Sequence, residues 1–446
     1  MRRADMFQVI HVPYTYYPDP VGGTEIYVEQ LAEHLRAFGI QSAIVAPGTG
    51  RAAYNHRATA VERLAVDNHI HGIHQLYGEG DVAAARTFGE ILDARQPQVV
   101  HLHAFTRIVS PLWVDAAHAR GLPVVFTYHT PTVSCLRSGL MRWGHQVCDG
   151  WLDTDRCTHC RLHSLGAPIA LAHLLARIPP SLVAWGKGVP RVGTALQMRE
   201  LVARQHTMIR DWFRQVDRIV ALCEWTRALL LRNDVASEKI FLSPHGFSPH
   251  AIPPAAALQT NQTAPLRVIA LGRLEPIKGI DLLARALAQV PALNLTLDIY
   301  GIEQSERETP FARRLRRDIA RDARIRLLSP VPHDQVTSLL QSYDVLAVPS
   351  QWLETGPLVV LEAFAAGIPV IGSNLGGISE KVQDGVNGLL VSPLHVDAWR
   401  EALTRVAQDR ALLAKLRANV RPPRSMQNVA EEMYGLYASL LRPVPA

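Results

Sequence analysis

The chain has 446 residues, enough for two or three domains. It is 48% hydrophobic and 19% charged, with 29 glycines and 30 prolines, a globular composition that excludes collagen-like, coiled-coil and disordered classes. The formal net charge of +6 is split as an excess of four cations in residues 1–250 and two beyond. That is too little for a dedicated nucleic-acid binder, but it suits phosphorylated small molecules or an anionic membrane surface.

Arg2 and Arg3 are followed by a segment broken by Asp5, Gln8 and His11, which does not read as a secretory leader. From there short β-rich runs alternate with helix-period stretches. Phe7–Val12 and Ser42–Val45 read as strands around a helix over Glu25–Phe38. Val99–Leu102, Val124–Tyr128, Arg218–Leu222 and Lys239–Leu242 continue the alternation. Such a pattern predicts parallel sheets with helices on both faces. Residues 162–207, rich in Leu, Ala, Arg and Pro, fit poorly and read as a helical insertion. The longest uncharged run there, Gly166 to Ala176, has 11 residues. A membrane span needs about 20. Residues 248–265 lack periodicity and contain four prolines, as a linker does. Beyond them Arg267–Leu271, Leu295–Tyr300, Ile325–Leu328, Val345–Val348 and Val370–Gly372 are predicted strands of a second α/β domain. In such sheets ligands bind at the carboxyl ends of the strands.

The chemistry-bearing residues cluster at those ends. Arg273 and Lys278, in Leu-Gly-Arg-Leu-Glu-Pro-Ile-Lys-Gly, follow the first strand of the second domain. A forked guanidinium with a flexible ammonium suits a diphosphate; the plain alternative is two surface cations. Glu354-Thr-Gly-Pro-Leu-Val-Val-Leu-Glu362 follows a strand, with Pro357 expected in the first turn of a helix. The amides of Thr355, Gly356 and Leu358 would then face an anion. Glu354 is expected just before the helix and Glu362 about two turns further along, which at about 1.5 Å per residue sets them about 10–12 Å apart along the axis. That is too wide for a glycosidase pair, which needs about 5–9.5 Å. Two solvated carboxylates are the alternative.

Together with Gly376-Gly377-Ile-Ser-Glu380, Asp384-Gly-Val-Asn-Gly388, Gly22-Gly23-Thr24-Glu25, Val99-Val-His-Leu-His103 and Phe126-Thr-Tyr-His129, these motifs resemble the large group-1 (family 4) retaining glycosyltransferases. The resemblance covers most of the chain outside the insertion. It implies a GT-B fold: two Rossmann-like, doubly wound α/β domains facing across a cleft. It implies that Arg273 and Lys278 hold the donor diphosphate, Glu362 the ribose and Glu354 the donor sugar. The Gly356–Leu358 amides assist, Val331 lies near the base, and Gly22 and Gly23 approach the donor phosphates. His129 would contact the transferred sugar, although a lone strand-end histidine is more often structural. His101 and His103 are expected on opposite strand faces, one of them buried, as supporting candidates beside it. Ser243-Pro-His245-Gly-Phe247 stands where this family usually has Pro-Asn-Gly-Val, which puts closure of the two domains in doubt.

Four of the five cysteines, Cys135, Cys148, Cys157 and Cys160, fall within 26 residues. The Cys-x2-Cys pair with two further thiols is expected to hold a structural zinc, with His145, His159 and His163 as substitute ligands; four reduced thiols are the alternative. A similar loop occurs in some bacterial members of the family the chain resembles. Cys223 reads as a core residue.

The expected organisation is an acceptor-side domain at 1–250, carrying the cysteine loop 135–160 and the insertion at about 162–207. A nucleotide-sugar-binding domain follows at 262–424, and a helix in 425–446 packs back on the first. The expected activity is transfer of a sugar from a UDP- or GDP-linked donor to an acceptor hydroxyl with retention, in polysaccharide or glycolipid biosynthesis. No catalytic metal is required. Cytoplasmic location is expected, with peripheral attachment to the inner face of the plasma membrane through Leu174–Arg191, where apolar, Trp and cationic residues mix. The alternatives are a GT-B epimerase or phosphorylase, or a non-catalytic nucleotide-sugar-binding protein.

Overall fold

A computed structural model describes residues 7–19, 22–67, 69, 73–78, 80–177, 190–248, 264–303 and 308–441. It divides into two compact units, residues 1–244 with 427–446, and residues 245–426. The division falls just before His245, within the unusual Ser-Pro-His-Gly-Phe segment. Most of the proline-rich linker, and Trp185 and Lys187 of the expected membrane segment, lie outside the described residues.

In the first unit the strands are β1 (Gln8–Val12), β2 (Gln41–Gly48), β3 (Ala52–His56), β4 (Thr59–Ala65), β5 (Val99–Leu102), β6 (Val124–Tyr128), β7 (Met141–Arg142), β8 (Gln146–Val147), β9 (Arg218–Ala221) and β10 (Ile240–Leu242). Eight form one sheet in the order β10-β9-β6-β5-β1-β2-β4-β3, parallel except for the β3–β4 hairpin. β7 and β8 make a separate hairpin. β5 and β6 match the predicted bounds because a parallel strand covered on both faces is a continuous apolar run, and both are buried throughout. The described part of the expected insertion is helical: Thr154–Ser164, Ile169–Ala176 and Pro190–Gln215. These helices share a core of Leu162, Ala172, Met198, Leu201 and Val202.

The helix Met426–Leu441 belongs, from Gln427 on, to the first unit. Its Tyr434 stacks on Phe38 at 5.4 Å, and Tyr437 meets Phe7 edge to face.

In the second unit β11 (Leu266–Arg273), β12 (Leu295–Ile302), β13 (Ile325–Leu328), β14 (Val345–Val348), β15 (Val370–Ser373) and β16 (Gly388–Val391) form a parallel sheet in the order β13-β12-β11-β14-β15-β16. Counted within the unit this is 3-2-1-4-5-6, the doubly wound order of dinucleotide-binding domains. Its two faces are packed by separate clusters, one around Leu283, Leu297 and Trp399, the other around Leu346, Phe364 and Ile378. The strand order reverses between β11 and β14. A crevice opens outside the carboxyl ends of strands at such a point.

Candidate functional site

The switch point of the second sheet is where Arg273, Lys278 and Glu354 arrive. β11 ends at Arg273, a short turn spans Pro276–Lys278, and Gly279 (φ +67°) starts the helix Ile280–Ala288. Only glycine suits that position: a Cβ there would lie 2.0 Å from the carbonyl oxygen of Pro349, at the end of β14. This close approach brings Lys278 against the loop after β14. Its Nζ donates to Glu354 Oε1 at 2.6 Å. The same oxygen accepts from Ser350 Oγ and Trp352 Nε1, each at 2.8 Å, and Lys278 also lies over the Trp352 ring at 5.4 Å. Burial alone would push the Glu354 carboxyl up. The Lys278 charge and the three hydrogen bonds outweigh it and hold the group below the ordinary value. Arg273 is ion-paired to Glu275 at 3.2 Å and stays partly exposed.

Downstream, the helix runs from Leu358 to Ala365, and Pro357 is its N-cap residue rather than its first helical residue. Glu354 thus stands in the loop before the helix and Glu362 within it. Only the stretch from Leu358 rises as helix, and Glu354 to Pro357 is loop. Gly377 N–H donates to the Glu354 carbonyl at 2.6 Å, so the Gly376-Gly377 motif braces that loop. Thr355 is buried, and a Cβ on Gly356 would come within 2.5 Å of His245 Nδ1. The histidine that departs from the family pattern thus packs on the backbone of the loop before the helix Leu358–Ala365.

Glu362 is buried and meets His333 Nε2 at 2.9 Å. His333 opens the helix His333–Leu340, two residues after Val331, which lies half-buried beyond β13. Sequence reasoning missed His333. The signal was its place next to Val331, after a strand of the same sheet, but its carboxylate partner is 29 positions away.

In the first unit the Gly22 amide already has a partner: it donates to Glu25 Oε2 at 2.8 Å, closing a cap at the helix Gly23–Leu35. Burial raises the Glu25 carboxyl, and the capping bonds oppose it. His129 is buried just past β6, and its Nε2 faces His103 Nδ1 at 3.0 Å. His101 and His103 are both buried, with ring centroids 4.0 Å apart. The expectation of opposite faces is wrong because residues two apart on a strand share a face.

Cys135, Cys148, Cys157 and Cys160 line one cavity between the β7–β8 hairpin and the helix Thr154–Ser164. Leu140 N–H donates to Cys135 Sγ at 3.4 Å. Burial raises all four thiols, that of Cys157 to about 12. The sulfurs do not close into a metal shell. Among the described residues the only three ligand atoms mutually within 4.8 Å belong to His11, His101 and His103. Of the substitute ligands, His163 Nδ1 bonds the Ala167 carbonyl at 3.0 Å, and His159 packs against His173. Cys223 is buried beside Thr226 at 3.0 Å, as a core residue should be.

Residues 258–422 match the glycosyl transferases group 1 family, and residues 22–154 the glycosyl transferase 4-like domain. D-inositol 3-phosphate glycosyltransferase of Nocardia farcinica is 28% identical over 278 residues, 60% of this chain and 58% of that protein. The Corynebacterium glutamicum enzyme of that name is 36% identical over 144 residues, 31% of this chain and 34% of that protein. The chain thus spans less than two thirds of these relatives. In structure it is similar to sucrose-phosphate synthase from Thermosynechococcus elongatus, with a TM-score of 0.66, 20% identity, and coverage of 97% of this chain and 99% of that one. It is also similar to Anabaena HepE solved with UDP and glucose, at 0.64, 17%, 97% and 100%. The chain has the GT-B fold, its residues 22–154 are similar to the glycosyl transferase 4-like domain and its residues 258–422 to the glycosyl transferases group 1.

Proposed function

We propose that the chain is a retaining glycosyltransferase that moves a sugar from a nucleoside-diphosphate donor to an acceptor hydroxyl without a catalytic metal. The observation that carries this reading is the buried Glu354 carboxylate paired with half-buried Lys278 at the switch point of the second sheet, with Arg273 at the end of β11. Lys278 and Arg273 neutralise the departing diphosphate, the role a metal fills elsewhere. Glu354, held ionised, receives sugar hydroxyls, and Glu362 with His333 receives the ribose. The bond from the anomeric carbon to the phosphate oxygen breaks and the bond to the acceptor oxygen forms on the same face. The acceptor's hydroxyl proton passes to the leaving diphosphate. Among the described residues no side chain at this switch point stands out as a covalent nucleophile, which favours that same-face course. HepE, solved with UDP and glucose, supports a UDP-linked donor as the first to try. An epimerase or phosphorylase would release no nucleotide in step with a new glycoside. Incubation with UDP-, GDP- and ADP-sugars and candidate polyol acceptors, following both products, is the test.

The four-thiol cavity is proposed to take a structural zinc. The loops flanking the hairpin supply Cys135 and Cys148, and the helix Thr154–Ser164 supplies Cys157 and Cys160, four soft donors that fit tetrahedral thiolate coordination once the sulfurs converge. Peripheral attachment to an anionic membrane is proposed through Leu174–Arg191; of its described residues Leu174 is exposed, as are Ile169 and Leu171 earlier on the same helix. Binding to anionic vesicles at low salt is expected, and its absence contradicts the attachment.

A further inference from the structure

Buried imidazoles accumulate at the switch point of the first sheet, between β1 and β5, and the family resemblance gives a role in sugar transfer to only one of them, His129. His11 lies on β1 in register with His101 of β5, and His103 follows β5. Three of the rings form a chain. His11 Nε2 meets Ser42 Oγ at 3.3 Å, His11 Nδ1 meets His103 Nε2 at 3.1 Å, and His103 Nδ1 meets His129 Nε2 at 3.0 Å. His101 stands beside the chain, its Nδ1 bonded to Tyr437 Oη at 2.6 Å and its Nε2 to Thr127 Oγ1 at 2.7 Å.

His11, His101 and His103 are close enough to share a metal, but that reading fails on their partners. Both nitrogens of His101 are taken by hydroxyls, and the nearest nitrogens of His11 and His103 face each other at hydrogen-bond distance. A metal would require bare nitrogens and broken bonds in a closed core. The rings are also uncharged: burial lowers His11 and His129 to about 3, and His101 and His103 well below the ordinary value. Each ring therefore carries one ring proton, on Nδ1 or on Nε2.

Every link in the chain joins an Nδ1 to an Nε2, and each link needs one donor and one acceptor. Only two arrangements satisfy both links. In one, all three rings are protonated on Nδ1 and the chain donates toward His129. In the other, all three are protonated on Nε2 and it donates toward Ser42. We propose that His11 and His103 are positioning residues that lock the tautomer of His129, so that its Nδ1 is presented as a donor or as an acceptor by the chain as a unit. The lock rests on the first unit alone. Its consequence for sugar transfer rests on the reading of His129 given above.

Long-range proton–nitrogen NMR of protein labelled with nitrogen-15 histidine reports the tautomer of each ring directly, with His11→Asn, His103→Asn and His129→Gln variants supplying assignments. The expected result is one shared tautomer for His11, His103 and His129. His11→Leu should leave His129 a mixture, whereas His11→Asn, whose amide can donate or accept, should keep it pure. If His11→Leu does not fold, the wild-type spectrum decides. Different tautomers among the three rings, or an unchanged His129 in folded His11→Leu, overturns the lock. In the transfer assay a loss of turnover at unchanged donor KM in His11→Leu, restored in His11→Asn, supports the positioning role. Wild-type turnover in His129→Ala instead removes the sugar-contact reading and leaves the spectral test of the lock intact.

Discussion

At the scale of single residues, the Lys278–Glu354 pair decides most. Lys278→Ala leaves a buried carboxylate without its cation and removes a partner for the departing diphosphate. Losing one such group costs about 10²–10³ in rate, so turnover should fall by that factor and donor binding should weaken with it. Glu354 is held low in the folded state, so its contribution to stability is complete above the unfolded carboxyl value and is lost as pH falls through the folded one. The stability this pair adds should therefore be flat near neutrality and fail only in acid. Glu362→Gln should raise the donor KM more than it lowers turnover, since ribose contacts are equal in ground and transition states; steady-state kinetics with varied donor checks it. Arg273, Lys278 and Glu354 were legible because a strand end followed by charge is a local pattern. His333 was not, since only the return of the chain through β14 and the helix Leu358–Ala365 sets Glu362 beside it. Pro357 was placed one position too far into its helix because proline is compatible with both the first helical residue and the residue before it.

At the scale of elements, three adjacent strands, β1, β5 and β6, gather four histidines that stay neutral when folded. Their folded values lie far below the ordinary histidine value, so between roughly pH 6.5 and 3 the unfolded chain binds more protons than the folded one. Stability should rise with pH across that window, and the urea midpoint should be clearly lower at pH 5 than at pH 7.5. An equal midpoint would mean that these rings are charged or exposed. The helix Met426–Leu441 is tied into the same cluster by Tyr437. Tyr437→Phe strips a buried partner from His101 and should cost about 1–3 kcal/mol in denaturant titration. β13 and β14 were readable to the residue as short apolar runs with clear breaks. The β3–β4 hairpin was not: β3 is largely exposed and has no alternation to betray it, and β4 pairs with β2 through a contact no local pattern announces. β7 and β8, at two residues each, are too short for any periodicity.

At the scale of the whole molecule, the two-domain α/β organisation followed from alternating runs, because parallel sheets need crossover helices. The division at Pro244 depends on packing far along the chain and was not legible, and the return of the last helix to the first unit was expected only from the family resemblance. The independence of the units gives a prediction for the cysteines. A Cys157→Ser/Cys160→Ser variant should lose metal by elemental analysis while nucleotide binding by the second unit survives; zinc well below one equivalent in the unaltered protein would favour free thiols. The central claim, that this chain transfers a sugar using the Lys278–Glu354 site, is tested most directly by one assay. Purified protein is supplied with nucleotide sugars, a panel of polyol and lipid-linked acceptors, and a chelator. The account predicts nucleoside diphosphate released in equal amount with a new glycoside of retained configuration, undiminished by the chelator and reduced about 10²–10³-fold in Lys278→Ala. An inverted product, nucleotide release that stops with the chelator, or unchanged turnover in Lys278→Ala would contradict it.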